Sequence, residues 1–235
     1  MITKHQPIKI LGGGLAGLTT AIVLKRCNYD PIIYEKESAC GFSRDKDIEG
    51  FESWNFCNDP LNFLTKIGIQ PSFKYKPINF FNVHFDSFET ISIANKTPLF
   101  HLVKRGINQK DIDRELQNQA LSAGVEIRFG FRPEKKTMNI ISAGAQKANA
   151  YIRGLTFSID SDDQTHLFLN TSITNTGYGY LIIWNNHATL ATAFRKKDSN
   201  NKKQLEKLKS IAESIIGKIP KDANEFASYG SFDIN

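Results

Sequence analysis

Ile8-Lys9-Ile10-Leu11-Gly12-Gly13-Gly14-Leu15-Ala16-Gly17-Leu18 is the stretch that decides the fold of this chain. A short apolar run breaks into three glycines, a fourth glycine follows, and helix-forming residues take over. Leu15, Leu18 and Ile22 form an apolar stripe, with Ala16 and Ala21 small enough for close packing. Lys25 and Arg26 suit the negative end of a helix dipole, and Asn28 suits a left-handed stop. Pro31-Ile32-Ile33-Tyr34-Glu35 then reads as a second strand ending on an acid. This order, strand, glycine turn, helix, strand, holds a dinucleotide by its pyrophosphate. Gly12 permits the tight turn, Gly14 lets backbone approach the phosphates, and Gly17 lets the helix pack closely. The first helical N–H groups carry a partial positive charge that attracts the phosphates. Glu35 stands about 20 residues after the turn, where an acid accepts hydrogen bonds from a ribose. An acid there disfavours a 2′-phosphate, so FAD or NAD is expected rather than NADP. The bland alternative, a glycine-rich turn of some other α/β protein, leaves the second strand and its acid unexplained.

The chain has 235 residues, room for one large domain or two modest ones. Its 17 phenylalanines require a core or an apolar pocket. Cys27, Cys40 and Cys57 form no CxxC pair and no cluster with zinc spacing, so no metal is expected and a reduced, cytoplasmic setting is the simplest reading. No apolar run approaches the ~18 residues of a spanning helix, and the polar Met1–Gln6 start shows no signal peptide. The net charge of +6 owes much to late lysines from Lys196 to Lys221. A solvated helix face accounts for them; anionic headgroups, and hence peripheral membrane contact, come second. No nucleic-acid motif accompanies the charge.

Further along, Asp59-Pro60 reads as an N-cap and first helical residue, with Leu61 and Leu64 inward and Gly68 at the stop. From Ile78 to Ile93 apolar and polar residues alternate as in antiparallel strands. Asn108 is expected to cap a helix carrying Ile112, Leu116 and Ala120 and stopped by Gly124. Val125, Ile127 and Phe129 alternate as a strand, and Met138–Ala143 reads as a buried strand before Gly144. Phe157–Asp160, His166–Leu169, Tyr180–Trp184 and Ala188–Phe194 form a second β region, with a hairpin at Asn185-Asn186-His187. Leu205, Leu208, Ala212 and Ile215 mark a final amphipathic helix ended by Gly217. The expected fold is therefore α/β: a Rossmann-like dinucleotide-binding fold (residues 1–72 and 100–150) interleaved with an antiparallel β-sheet substrate domain (residues 73–99 and 151–235).

Taken together, Gly12–Glu35, Cys40-Gly41-Phe42-Ser43-Arg44, Leu102–Gly106 before the Asp111–Ala123 helix, Ile140–Gly144 and Gly177–Trp184 resemble the geranylgeranyl reductase family of FAD-dependent oxidoreductases, within the group similar to p-hydroxybenzoate hydroxylase. The resemblance implies an FAD domain covered by a substrate-binding sheet. It also implies reduction, hydroxylation or halogenation of a hydrophobic substrate, such as an isoprenoid or prenyl lipid. The candidate cofactor contacts are Gly12, Gly13, Gly14, Leu15, Ala16, Gly17, Glu35, Lys36, Arg44, Arg105 and Gly144. Arg44 and Arg105 have a plain alternative in an ion pair. Two departures stand out. Cys40 replaces the first glycine of the family loop, and the family's later Gly-Asp-Ala-Ala-like segment, which grips the flavin end, is missing.

Three readings of function follow. The first is an FAD-dependent oxidoreductase acting on a hydrophobic small molecule or lipid. The second is a truncated, non-catalytic dinucleotide-binding protein. The third is one subunit of a split flavoenzyme, completed by a partner chain. A plain NAD-dependent dehydrogenase fits the inserted β elements poorly. No nucleophile–base pair is evident. His84 reads as a surface histidine or a substrate contact, Trp184 and Tyr180 as core or a flavin cover, and Cys57 as a buried thiol.

Overall fold

The computed structural model describes residues 6–52, 59–86, 89–144, 148–174, 176–195 and 201–230. The first half of the chain forms β1 (Ile8–Leu11), α1 (Leu15–Arg26), β2 (Pro31–Glu35), β3 (Ile48–Glu52), α2 (Pro60–Lys66), β4 (Tyr75–Ile78), β5 (Phe80–Phe85), β6 (Thr90–Ala94), β7 (Phe100–Lys104) and α3 (Ile112–Ser122). The second half adds β8 (Glu126–Phe129), β9 (Ile140–Ile141), β10 (Ala150–Ser158), β11 (Gln164–Leu169), β12 (Gly177–Trp184), β13 (His187–Phe194), α4 (Asn201–Ile216) and β14 (Asn224–Gly230). These elements gather into two compact units, Met1–Lys76 with Phe100–Gly144, and Pro77–Leu99 with Ala145–Asn235. The junctions fall slightly off the expected positions. Phe73 is buried in the first unit's core, and the second unit takes in the approach to β10.

The first unit is the Rossmann-like one. Its parallel sheet is ordered β8-β2-β1-β9, with Ile10 opposite Ile33 and both fully buried. Helix α1 buries Gly17, Leu18, Ala21 and Ile22, whereas Ala16 is exposed. Helix α3 buries Ile112, Leu116 and Ala120 in the same core. Asn28 has φ +61 and turns the chain out of α1 as expected. Asp59 caps α2, its Oδ1 accepting from Leu61 N at 2.9 Å and Asn62 N at 3.1 Å. A separate three-stranded sheet is ordered β3-β7-β4.

Two expectations here need correction. Asn108 does not cap α3; the N-cap is Asp111, and the Asn108 side chain instead donates to Asp111 Oδ2 at 3.0 Å. The turn at residues 108–111 satisfies its own polar groups and delays the helix. The strand expected over Met138–Ala143 is only two residues long, β9, and Ile141 is 42% exposed. It lies at the sheet edge, where one face needs no apolar cover.

The second unit is built on a seven-stranded sheet ordered β14-β10-β13-β12-β11-β5-β6. The pairs are antiparallel except β11 with β5, which run parallel. Asn185 and Asn186 have φ +51 and +58, the left-handed pair of a two-residue hairpin turn, so His187 already belongs to β13 opposite Trp184. Leu181 and Ile183 of β12 join Leu208 and Ala212 of α4 in one core. On the other face of β12, Trp184 is buried and Tyr180 half-buried. Ile215, expected inward, is 36% exposed, and Ile211 and Ile216 pack on that core instead. Strand β14 closes one edge of this sheet with few apolar residues, so no alternating pattern marks it in the sequence.

His84 is half-buried, and both of its ring nitrogens are engaged within the sheet. Its Nε2 lies 2.8 Å from Nδ1 of His166, its Nδ1 lies 3.0 Å from Thr90 Oγ1, and its ring stacks on Phe168. Gln164 Oε1 lies 2.7 Å from His166 Nε2 and completes the chain. Facing ring nitrogens at hydrogen-bond distance share one proton, so the contact needs at least one of the two rings neutral. Burial, and then His84, hold His166 down at about 4, and burial lowers His84. The groups facing the pair are Thr90, Gln164, Asn82 from its own strand and the Phe168 ring, none charged. Below about pH 6.5 the unfolded chain binds protons that the folded pair refuses, so stability is intact above that pH and is lost as pH falls toward about 4. Urea unfolding at pH 7.5 and pH 5 should therefore show a loss of ~2 kcal/mol from this pair. His166→Gln should flatten that part of the dependence, and an unchanged pH slope in the variant would refute the assignment.

Candidate functional site

The glycine turn forms one wall of a cleft of about 350 Å³ in the first unit, at the carboxyl end of the parallel sheet. Gly12 leaves β1 with φ +101, and a Cβ there would lie 2.5 Å from Ser142 O. Gly17 crosses directly over the turn: a Cβ on it would lie 2.0 Å from Gly12 O. Gly14 differs. It is the N-cap of α1, with extended backbone (φ −72, ψ 179), no side-chain cap, and no atom within 4 Å of where a Cβ would stand. The helix therefore opens onto the cleft with uncapped N–H groups, the arrangement that binds a phosphate. Leu15 and Ala16 form the first turn behind it. Gly144, with φ +79 and open space at its Cα, lines the same cleft beyond β9.

Glu35 ends β2 and is buried, and its carboxylate grips the turn. Oε2 accepts from Gly13 N at 2.6 Å, and Oε1 accepts from Glu37 N at 2.9 Å. The acid thus braces the loop, and its two carboxylate oxygens retain further acceptor capacity. Its neighbour Lys36 also lines the cleft, exposed, and pairs with Glu37 at 2.8 Å. Cys40 is fully buried and fills the space against Gly13; a Cβ on Gly13 would lie 2.8 Å from its Sγ. Burial, then Glu35 and Asp113, push its thiol up to about 12, so it is a packing group without nucleophilic character. Cys57 lies outside the described residues.

Arg44 and Arg105 both line the cleft, and both are held by acids. Arg105 donates from Nε and Nη2 to the two oxygens of Asp113 at 2.8 and 2.9 Å, and from Nη1 to Glu49 at 2.8 Å. Arg44 forms an ion pair with Asp47 at 2.8 Å and donates to Glu49. Asp113 is fully buried, and Gly106 N also donates to it, at 3.1 Å. The network is thus part of the cleft wall and an ion pair at once. Glu49, which joins the two arginines, went unnoticed in the sequence; nothing about a lone acid in Ile48–Glu52 marks it. Lys36, Arg44, Arg105, Arg132 and Lys135 line the cleft with Glu35, Glu37 and Asp113, and once Asp47 and Glu49 behind the two arginines are counted the charges balance, which leaves the uncapped N–H groups of α1 as the electropositive feature of the wall.

Comparison with known proteins bears on this geometry. The profile of an NAD(P)-binding Rossmann-like domain matches residues 10–58. Comparison with curated protein sequences gives no significant match. Among solved structures, a geranylgeranyl bacteriochlorophyll reductase-like protein from Thermoplasma acidophilum superposes with a TM-score of 0.67 at 16% identity, over 95% of this chain and 65% of that one. A peptidyl tryptophan dihydroxylase gives 0.66 at 13% identity, over 94% of this chain and 55% of that one. Aklavinone-11 hydroxylase, solved with FAD and aklavinone, gives 0.61 at 12% identity, over 97% and 54%. The chain has their fold and spans a little over half to about two-thirds of their length. No described helix is long and apolar enough to cross a membrane, and no described group of three or more His, Cys, Asp and Glu side chains could hold a metal ion.

The glycines separate in a stability test. Gly17→Ala should cost ~2 kcal/mol or more, because its new methyl group meets backbone that cannot move aside. Gly14→Ala, facing open space, should melt within a degree or two of the parent; equal losses in the two variants would contradict the packing described. Arg105→Ala should cost ~3–5 kcal/mol by stranding the buried Asp113 charge. Arg105→Lys should recover only part of this, since an ammonium cannot make the two-pronged bond. Denaturant midpoints decide both points.

Proposed function

We propose that the chain is an FAD-dependent oxidoreductase of the geranylgeranyl reductase type, acting on a hydrophobic small molecule or lipid such as an isoprenoid. The observation that carries this is the uncapped start of α1 at Gly14, open to the cleft, in a chain whose two units interleave. The fold-level likeness to a geranylgeranyl reductase-like protein and to a hydroxylase solved with FAD supports the same reading.

The residues fit the ADP half of the cofactor. Gly14 leaves the room that a pyrophosphate oxygen needs, and the N–H groups of α1 supply donors without a competing side chain. Glu35, already fixed by Gly13 and Glu37, would take the ribose hydroxyls. Arg44 and Arg105, neutralised by their acids, would contribute shape and field more than direct phosphate bonds. Gly144 would let the chain pass close to the cofactor. A cleft of 350 Å³ lies near the lower end of the about 300–1,000 Å³ of small-molecule sites, as suits one half of a dinucleotide. When bound, the flavin supplies the hydride or oxygen chemistry; the protein orients the substrate and excludes water.

The purified protein should show flavin absorbance in the near-UV and blue, or gain it on adding FAD, with a rise in melting temperature. Gly14→Val should abolish both while leaving the fold intact by circular dichroism. A colourless parent protein with no thermal response to FAD would end this reading.

A further inference from the structure

We infer that Phe42 is a stacking platform for the planar ring of the bound nucleotide, an inference that rests on the dinucleotide reading above. Phe42 opens a 3-10 turn, Phe42–Arg44, and lines the cleft while remaining 50% exposed. Single exposed apolar side chains are ordinary on a surface. This one differs in where it is held and how firmly. The preceding Gly41 has φ +82 and sits on the first turn of α3 so tightly that a Cβ would lie 2.5 Å from Asp113 Cβ and 2.9 Å from Gly106 O. Arg44 N donates to Gly41 O at 2.9 Å, and the Arg44 guanidinium is tied to Asp47 and Glu49. The turn is therefore fixed on both sides of Phe42, and its half-exposed ring lines the cleft across from the glycine turn.

Among the described residues no aromatic ring meets Phe42. A preorganised flat apolar surface beside phosphate-binding backbone complements a flat heteroaromatic ring. Two such rings belong to the proposed cofactor, adenine and isoalloxazine, and both stack by the same physics. Aromatic stacking on a base is lost at about ten-fold or more in affinity when the side chain is cut to alanine.

The test is calorimetric titration of the full chain with ADP, FMN and FAD. The parent protein should bind FAD, and Phe42→Ala should weaken that binding about ten-fold, while Phe42→Trp should retain it and show quenched indole emission when loaded. Loss of ADP and FAD affinity together assigns the ring to adenine; loss of FAD and FMN affinity with ADP unchanged assigns it to isoalloxazine. Unchanged affinity in a folded Phe42→Ala, or normal binding with unquenched Phe42→Trp, overturns the stacking role alone. Failure of the parent protein to bind any of the three overturns the dinucleotide reading itself.

Discussion

The contact on which the cleft depends is the crossing of α1 over its own entry turn, where Gly17 leaves no room for a side chain above the carbonyl of Gly12. A helix leaving a strand must start somewhere, and ordinary side chains would hold it several ångströms off. Two glycines remove that standoff, and Gly12, in the left-handed region, turns the chain sharply enough to use the space. The result is a helix N-terminus set directly at the strand end, with Gly14 facing outward. Ser142 closes the contact from β9's side, its carbonyl against Gly12. The phosphate-binding geometry is thus a packing consequence before it is a ligand site.

A second constraint is electrostatic. Asp113 is wholly buried at the start of α3, where a helix dipole favours an acid but burial alone would forbid the charge. Arg105 answers it with a two-pronged bond, Gly106 adds a backbone donor, and Glu49 extends the pairing to Arg44. The loop containing Cys40 and Gly41 is seated against this cluster. The two arginines that line the cleft are therefore committed to the protein's own acids, and direct anion binding falls to backbone N–H groups, which carry no counter-charge to displace.

How far the sequence spoke for itself varied with how local the physics was. The glycine spacing, the stop at Asn28, the Asp59–Pro60 start and the Asn185–Asn186 turn were legible because each encodes a backbone requirement of two or three residues. Asn108 misled because Asp111, three residues on, competed for the same role. The length of β9 and the existence of β14 were hidden by their position at sheet edges, where the apolar pattern is diluted. Of the cleft wall, the placement of Gly12, Gly14, Gly17 and Glu35 could be read directly, whereas that of Glu49, and in the second unit the His84–His166 pair, could not. Both depend on register between strands that are distant in sequence, which no local pattern reports.

That long-range dependence bears on how the cleft comes into being. Its glycine turn and Glu35 lie in the first forty residues, but Arg105, Asp113 and Ser142–Gly144 arrive only after the chain has left the first unit at Pro77 and returned at Phe100. Strands β8 and β9 flank β2 and β1, so the parallel sheet itself is incomplete until residues 126–141 have come back. The local β-α-β segment has a buried helix face but too few partners to cover it alone, since α3 supplies Leu116 and Ala120 to the same core. A ligand held between Gly14 and Gly144 would touch both the earliest and the latest parts of the unit. Its binding energy would then favour the closed assembly over any state in which the returning segment is detached. A nucleotide bound there would hold the two separated segments together.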